Sequence, residues 1–143
     1  MMRALVAFAV MAPASTLAQP ARGDIHVIVT GFDNTAGHAL IAVFRTSAGF
    51  PEEGQRAAAT VRARIDRDRV EVWFRNLPAG PFAIAVLHDE DDDTAMDTGL
   101  FGIPTEDYGV SRNATRDFGP PVFEDCVIDL RPGSVIDVRI EVD

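Results

Sequence analysis

Val61-Arg62-Ala63-Arg64-Ile65-Asp66-Arg67-Asp68-Arg69-Val70-Glu71-Val72-Trp73-Phe74-Arg75 is the stretch that decides the fold. Apolar and charged residues alternate on both sides of the Arg67-Asp68 step, which is the period of strands with one buried face. Arg67-Asp68 itself suits a hairpin turn. The same period recurs outward in both directions. Ile25, Val27 and Val29 make one strand face; Leu40, Ala42 and Phe44 make a second, after the turn-forming run from Asp33 to Gly37. Phe82, Ile84 and Val86 follow the Leu77-Pro78-Ala79-Gly80 turn. Cys126, Ile128 and Leu130 lead through Arg131-Pro132-Gly133-Ser134 to Ile136, Val138, Ile140 and Val142. Glu52–Ala59 has room for one helical turn and no long helix is indicated. The expectation is an all-β chain: a seven-stranded antiparallel two-sheet sandwich, because each sheet has one apolar face to bury.

Composition narrows the partners. With 143 residues, 47% of them hydrophobic, the chain suits one ordered domain and is too apolar for disorder. A net charge of −9 argues against nucleic acid and against anionic membranes. Every one of the 13 basic residues is Arg, so a phosphate-loop lysine or a Schiff-base lysine is excluded. The lone Cys126 permits no internal disulfide and no multi-thiolate metal site. Its phase with Ile128 and Leu130 makes it a small core residue rather than a nucleophile.

Met1 to Ala18 has the organisation of a secretory leader. Arg3 supplies the positive end, an apolar run from Ala4 reaches Ala12 before Pro13, and Thr16-Leu17-Ala18 offers small residues at the cleavage positions. The run is about half the roughly 20 residues a spanning helix needs. The reading is therefore a periplasmic or secreted protein with no membrane span in the mature chain, residues 19–143 forming a single domain.

Residues 88–123 lack a strand period, and a structureless stretch of that length in a small domain points to a functional or ion-organised loop. It begins with the acidic run Asp89-Glu90-Asp91-Asp92-Asp93 and continues to Asp97. Asp89, Asp91, Asp93 and Asp97 stand at relative positions 1, 3, 5 and 9. That spacing turns alternate carboxylates of a tight loop toward one hard cation, and oxygen donors suit Ca2+ better than zinc or copper. The helix–loop–helix calcium motif is rejected: Thr94 replaces its turn glycine, Leu100 replaces its last glutamate, and flanking helices are lacking. Glu106, Asp107 or backbone carbonyls are candidates to complete a looser shell. The competing reading is a solvated acidic loop holding no particular ion. Gly99, Gly102, Gly109 and Gly119 permit turns, and Phe101, Tyr108, Phe118 and Phe123 are expected to fold inward as a small satellite core.

His88 falls on the apolar-facing phase and reads as a hydrogen-bonded residue at the rim of the core. His26 and His38 read as surface residues, and no pair has zinc-ligand spacing. Trp73 lies on the polar phase, where it is either a stacking residue or is covered by a loop.

Ala39-Leu40-Ile41-Ala42-Val43-Phe44 with Gly49-Phe50-Pro51, and Leu77-Pro78-Ala79-Gly80-Pro81-Phe82 running on to His88-Asp89-Glu90, form two distinctive blocks. Met96-Asp97-Thr98-Gly99-Leu100-Phe101-Gly102-Ile103-Pro104, Glu106-Asp107-Tyr108-Gly109, and Phe118-Gly119-Pro120-Pro121 with Phe123-Glu124-Asp125 continue them. In this order they resemble the exported bacterial domain-of-unknown-function family 2141 over nearly the whole mature chain. The Leu-Pro-x-Gly-x-Phe turn also resembles that of non-catalytic carboxypeptidase-regulatory-type modules. The resemblance implies an immunoglobulin- or transthyretin-like sandwich and an exported location, and it implies no established activity. The family typically has Asn and Gly among these acids, whereas Asp91-Asp92-Asp93-Thr94-Ala95 is more acidic and has no Gly.

The function expected from these features is a non-catalytic module that binds an envelope or extracellular partner or ligand at its long-loop end, with Ca2+ ordering the acidic run. Two alternatives stand beside it: a metal-assisted hydrolase using His88 and neighbouring Asp residues, and a purely structural envelope subunit. For the leader, mass spectrometry of the exported protein is expected to give Gln19 as the first residue. An intact Met1 in the exported form contradicts this.

Overall fold

A computed structural model describes residues 18–143; the leader expected at residues 1–18 lies, but for Ala18, outside the described residues. The described residues contain eight strands: β1 Arg22–Thr30, β2 His38–Phe44, β3 Ala59–Ala63, β4 Arg69–Pro78, β5 Gly80–Asp89, β6 Tyr108–Val110, β7 Ile128–Leu130 and β8 Val135–Glu141. Helix among the described residues is confined to one α-turn, α1 Phe123–Cys126, and three short 3-10 turns, one of them at Gly54–Arg56 inside the stretch expected to hold a single helical turn. No described helix is long and apolar enough to cross a membrane.

The strands form two sheets, one ordered β4-β1-β8 and the other β3-β2-β5-β6, with β7 also pairing with β5. β6 and β7 share one edge of β5: β7 takes Gly80–Phe82 and β6 takes Ala85–Leu87. The expected seven strands become eight because β6 is only three residues long with Gly109 at its centre, too short to carry a visible period. The arrangement is not wholly antiparallel either, since β8 runs parallel to β1 from Asp24↔Val135 to Thr30↔Glu141. The turn after β7 explains this. Gly133 donates to the carbonyl of Arg22 at 2.7 Å and Asp24 to that of Ser134 at 2.9 Å. These bonds carry the chain from the second sheet to the first, at the end where β1 begins.

The Arg67-Asp68 turn forms as expected, with Asp66 and Arg69 exchanging backbone hydrogen bonds of 3.0 and 3.1 Å. No ladder grows from it, because β3 continues into the second sheet and β4 into the first. Ala79 links the sheets in the same way between β4 and β5. Ile25, Val27 and Val29 of β1, Val70 and Phe74 of β4, and Val138 and Ile140 of β8 meet Ile41, Val43, Ile84 and Val86 of the opposite sheet in one apolar core.

β2 reverses the expected phase. Ala39, Ile41 and Val43 face the core, whereas Ala42 and Phe44 belong with a second cluster on the other side of the sheet. An unbroken apolar run such as Ala39–Phe44 carries no alternation to choose a face, and here both faces are covered. The second cluster contains Phe44, Ala83, Ala85, Val110 and Cys126, flanked by Phe50 and Phe123. Phe50 meets Phe44 and Phe123 edge-to-face, with ring centroids 5.3 and 5.8 Å apart. A satellite core therefore exists, but with different members: Phe123 joins it, while Phe118 stands 91% exposed.

Ser111 ties this layer together. Its fully buried hydroxyl accepts the Ile84 N–H at 2.9 Å and donates to the Cys126 carbonyl at 2.6 Å. Cys126 is itself fully buried, and burial, with Asp125 adding to it, pushes its thiol up to about 11. Ser111→Ala keeps the volume but strands two buried polar groups, each costing about 1–3 kcal/mol. The expected result is a lower urea midpoint at unchanged slope, and a loss under 0.5 kcal/mol, the ordinary range of a surface change, contradicts the bridging role.

Candidate metal centre

The acidic run starts where the core ends. Asp89 closes β5 opposite His38 of β2 and is fully buried. The β1–β2 connection passes so close that a Cβ on Gly37 (φ +57°) would lie 1.8 Å from the Asp89 carbonyl oxygen, so only glycine fits there. A buried carboxylate needs donors, and Asp89 accepts from the backbone N–H groups of Asp93 and Thr94, both at 3.1 Å. Asp91 also accepts from Asp93 N–H at 3.1 Å, and Asp93 accepts from Ala95 N–H at 2.7 Å. These local bonds wind the chain through left-handed conformations at Asp92 (φ +64°) and Thr94 (φ +69°). Thr94 thus adopts the turn conformation for which a glycine would be ordinary, at a cost of about 1–2 kcal/mol.

A short arch then brings a further acid back. Thr105 donates to the Asp97 carbonyl at 2.9 Å and Gly99 to that of Ile103 at 2.7 Å, closing residues 97–105 on themselves. Glu106, at 6% exposure, accepts from Glu90 N–H at 2.9 Å with one oxygen and from Asp97 N–H at 3.1 Å with the other. It therefore clasps both feet of the loop. Carboxylate oxygens of Asp89, Asp91 and Glu106 lie within 4.8 Å of one another, and so do those of Asp91, Asp93 and Asp97. All four acids singled out from the spacing enter these two groups, which share Asp91. Of the candidates to complete them, Glu106 joins and Asp107 does not.

The intervening acids turn elsewhere. Glu90 accepts from the Asn34 amide at 3.1 Å, and Asp92 pairs with His38 at 2.7 Å and with Arg62. The hydrogen bond from His38, helped by Arg62, holds the Asp92 carboxyl below its ordinary range. Asp97 moves the opposite way: desolvation raises it first, and the charges of Asp91, Asp93 and Asp89 raise it further. A focus of crowded carboxylates with oxygen donors only is chemically fitted to a hard divalent cation.

His88 sits on the other side of the same strand end, wholly buried as expected of a core-rim histidine. Its Nε2 lies 2.9 Å from the Ala36 carbonyl, and its Nδ1 lies 3.5 Å from Asp107 and 3.8 Å from Glu90. Spacing alone missed this group, since its members come from positions 88, 90 and 107. The alternation through Asp89 was the available signal. His26 is half-buried, contacting Asp137 at 3.0 Å and Glu71 at 3.1 Å and stacking on Trp73 at 4.2 Å. No loop covers Trp73: it is 42% exposed, with the Arg75 guanidinium 4.1 Å from its ring centre.

A family model described as an uncharacterized protein conserved in bacteria (DUF2141) matches residues 27–137, a span that includes both carboxylate groups and His88. No curated protein and no solved structure matches the chain.

The electrostatics give a pH test. Asp97 holds its proton more tightly folded than unfolded, so its contribution to stability is present below the unfolded value and is lost as pH rises through the raised folded one. Asp92 contributes above the unfolded value and loses that contribution as pH falls through its lowered one. Carboxyl NMR is expected to place Asp97 above and Asp92 below ordinary aspartates, and Asp91→Asn is expected to bring Asp97 down. An unchanged Asp97 in that variant contradicts the mutual repulsion.

Proposed function

The chain belongs to the uncharacterised bacterial family DUF2141, and from that premise we propose an exported, non-catalytic β-module that holds Ca2+ and presents its long-loop end to an envelope or extracellular partner. The carrying observation is the pair of carboxylate groups sharing Asp91, which draws Asp89, Asp93, Asp97 and Glu106 around it. Each member supplies hard oxygen donors, and waters or backbone carbonyls bring the shell to the six to eight oxygens Ca2+ prefers.

The mechanism follows from which residues the ion would join. Asp89 to Asp97 precede the arch and Glu106 follows it, so one cation cross-links the two feet. The arch carries Leu100 and Ile103, 84% and 63% exposed, and Phe118 stands further along the same long connection. A contiguous exposed apolar patch marks an interaction surface, and Leu100 and Ile103, three positions apart on the arch, are the residues proposed to form one. Ion binding would therefore fix how Leu100 and Ile103 are offered. An immunoglobulin- or transthyretin-like classification is consistent with two sheets closed over one core. The sealed position of His88 supports the non-catalytic reading, because a metal-assisted hydrolase needs a ligand set open to substrate.

Calorimetric titration with calcium is expected to give saturable heat, with a melting temperature that rises with calcium. A free concentration one hundred times Kd corresponds to about 2.7 kcal/mol of stabilisation. Asp91→Asn is expected to weaken binding at least tenfold, while Asp92→Asn, which removes an acid that points away, leaves it within about twofold. Absence of heat and of any thermal shift at millimolar calcium ends the calcium reading.

A further inference from the structure

The strand end that delivers Asp89 to one side delivers His88 and Glu90 to the other, and Asp107 follows Glu106 in the same alternation. His88 N–H donates to the Asp107 carbonyl at 2.8 Å, fixing these two residues side by side. From this juxtaposition we propose that His88, Glu90 and Asp107 form a second cation site, distinct from the calcium focus and suited to a borderline transition metal of the Zn2+ class.

Three observations carry it. The imidazole is completely buried and its Nε2 lies 2.9 Å from the Ala36 carbonyl, which can only accept, so the ring proton belongs on Nε2. In the neutral ring that leaves Nδ1 as the lone-pair nitrogen, and it faces two carboxylates. An electron pair facing two anions calls for a cation between them. The separations agree with this. Nδ1 lies 3.5 Å from Asp107 Oδ2, at the outer limit of a hydrogen bond, and 3.8 Å from Glu90 Oε1, beyond it. Tetrahedral donors about 2.0–2.1 Å from Zn2+ stand roughly 3.4 Å apart, close to these values. All three donor atoms lie within 4.8 Å of one another.

The surroundings are those of a metal ligand set. Orientation of a ligating imidazole by a carbonyl on its far nitrogen is the common arrangement, and Ala36 provides it. Asn34 donates to Glu90 Oε1 at 3.1 Å and Asp33 N–H to Asp107 Oδ2 at 3.4 Å. Phe32 closes the inner wall with its ring edge-on to His88 at 5.3 Å. The whole support thus comes from the β1–β2 connection. Glu90, with its side chain 39% exposed, marks the side from which an ion would reach the buried nitrogen. A nitrogen with two carboxylates selects a borderline ion where the neighbouring all-oxygen focus selects a hard one.

The probe is Co2+, followed by competition with Zn2+, on the purified protein with calcium in excess. Visible d–d bands of bound cobalt, displaced by zinc, are expected. Glu90→Gln and Asp107→Asn, both at the rim, should each weaken cobalt at least tenfold with the fold retained, and Asp91→Asn should leave the cobalt spectrum unchanged while weakening calcium at least tenfold. Nitrogen NMR with zinc bound is expected to show His88 protonated at Nε2 only. The proposal is overturned by absence of cobalt bands or by wild-type cobalt affinity in both rim variants. Joint loss of cobalt and calcium in Asp91→Asn, which marks one shared site, overturns it as well. So does an His88 ring carrying protons on both nitrogens at saturating zinc, since an imidazolium then fills the cation's role. A failed calcium titration with cobalt binding intact would sink only the earlier reading.

Discussion

A carboxylate withdrawn from water has to be given hydrogen bonds, and the form of the acidic loop follows from how Asp89 obtains them. The group is fully buried at the end of β5, and no cation is paired with it among the described residues. It recruits the N–H groups of Asp93 and Thr94 instead. Supplying those two donors forces the chain to double back within five residues. Thr94 accordingly tolerates a positive φ, and the side chains of Asp91 and Asp93 are thrown to one side. Glu106 repeats the device from the far end, using both oxygens on backbone donors. Two buried acids thus shape the segment through its backbone, and the remaining charges are brought together as a by-product of that winding.

The β5 end is a firm base for this because both faces of the strand are covered. Phe82, Ile84 and Val86 lie in the inter-sheet core, and Ala83 and Ala85 lie under the second cluster. Full burial of a large apolar side chain is worth about 1.5–3 kcal/mol, so two layers around one strand restrain it far more than a solvated face would. The second layer also accounts for much of the order in residues 108–123. β6, Ser111 and Phe123 anchor that part to the sheet by protein contacts alone. The need for an ion to organise the long connection shrinks to residues 90–106.

Most of the strands were legible because their chemistry alternates. Val61–Ile65 and Val70–Arg75 have one charged and one apolar face, and these faces are placed as the period requires. Legibility fails where alternation fails. Ala39–Phe44 is apolar throughout, so its inward face was decided by what came to lie on the outer side. Tyr108–Val110 is too short to show a period. The parallel pairing of β8 with β1 depends on a turn that changes sheets, and nothing in the strand sequences encodes that. In the acidic run the spacing of Asp89, Asp91, Asp93 and Asp97 was informative because Asx-type turns make position dictate direction. Glu106 was one of several candidates, since its return rests on the arch. The contacts of His88 with residues 90 and 107 were hidden because they depend on the side-to-side alternation of two segments well apart in sequence.

The pairing of β1 with β8 sets a condition on biogenesis. β1 is the middle member of its three-stranded sheet, yet one of its neighbours, β8, lies 111 positions further along the chain. A chain emerging amino end first keeps that edge of β1 vacant until β8 has emerged. A product truncated before β8 is left with a naked edge on β1, so closure of this sheet waits on a strand made late.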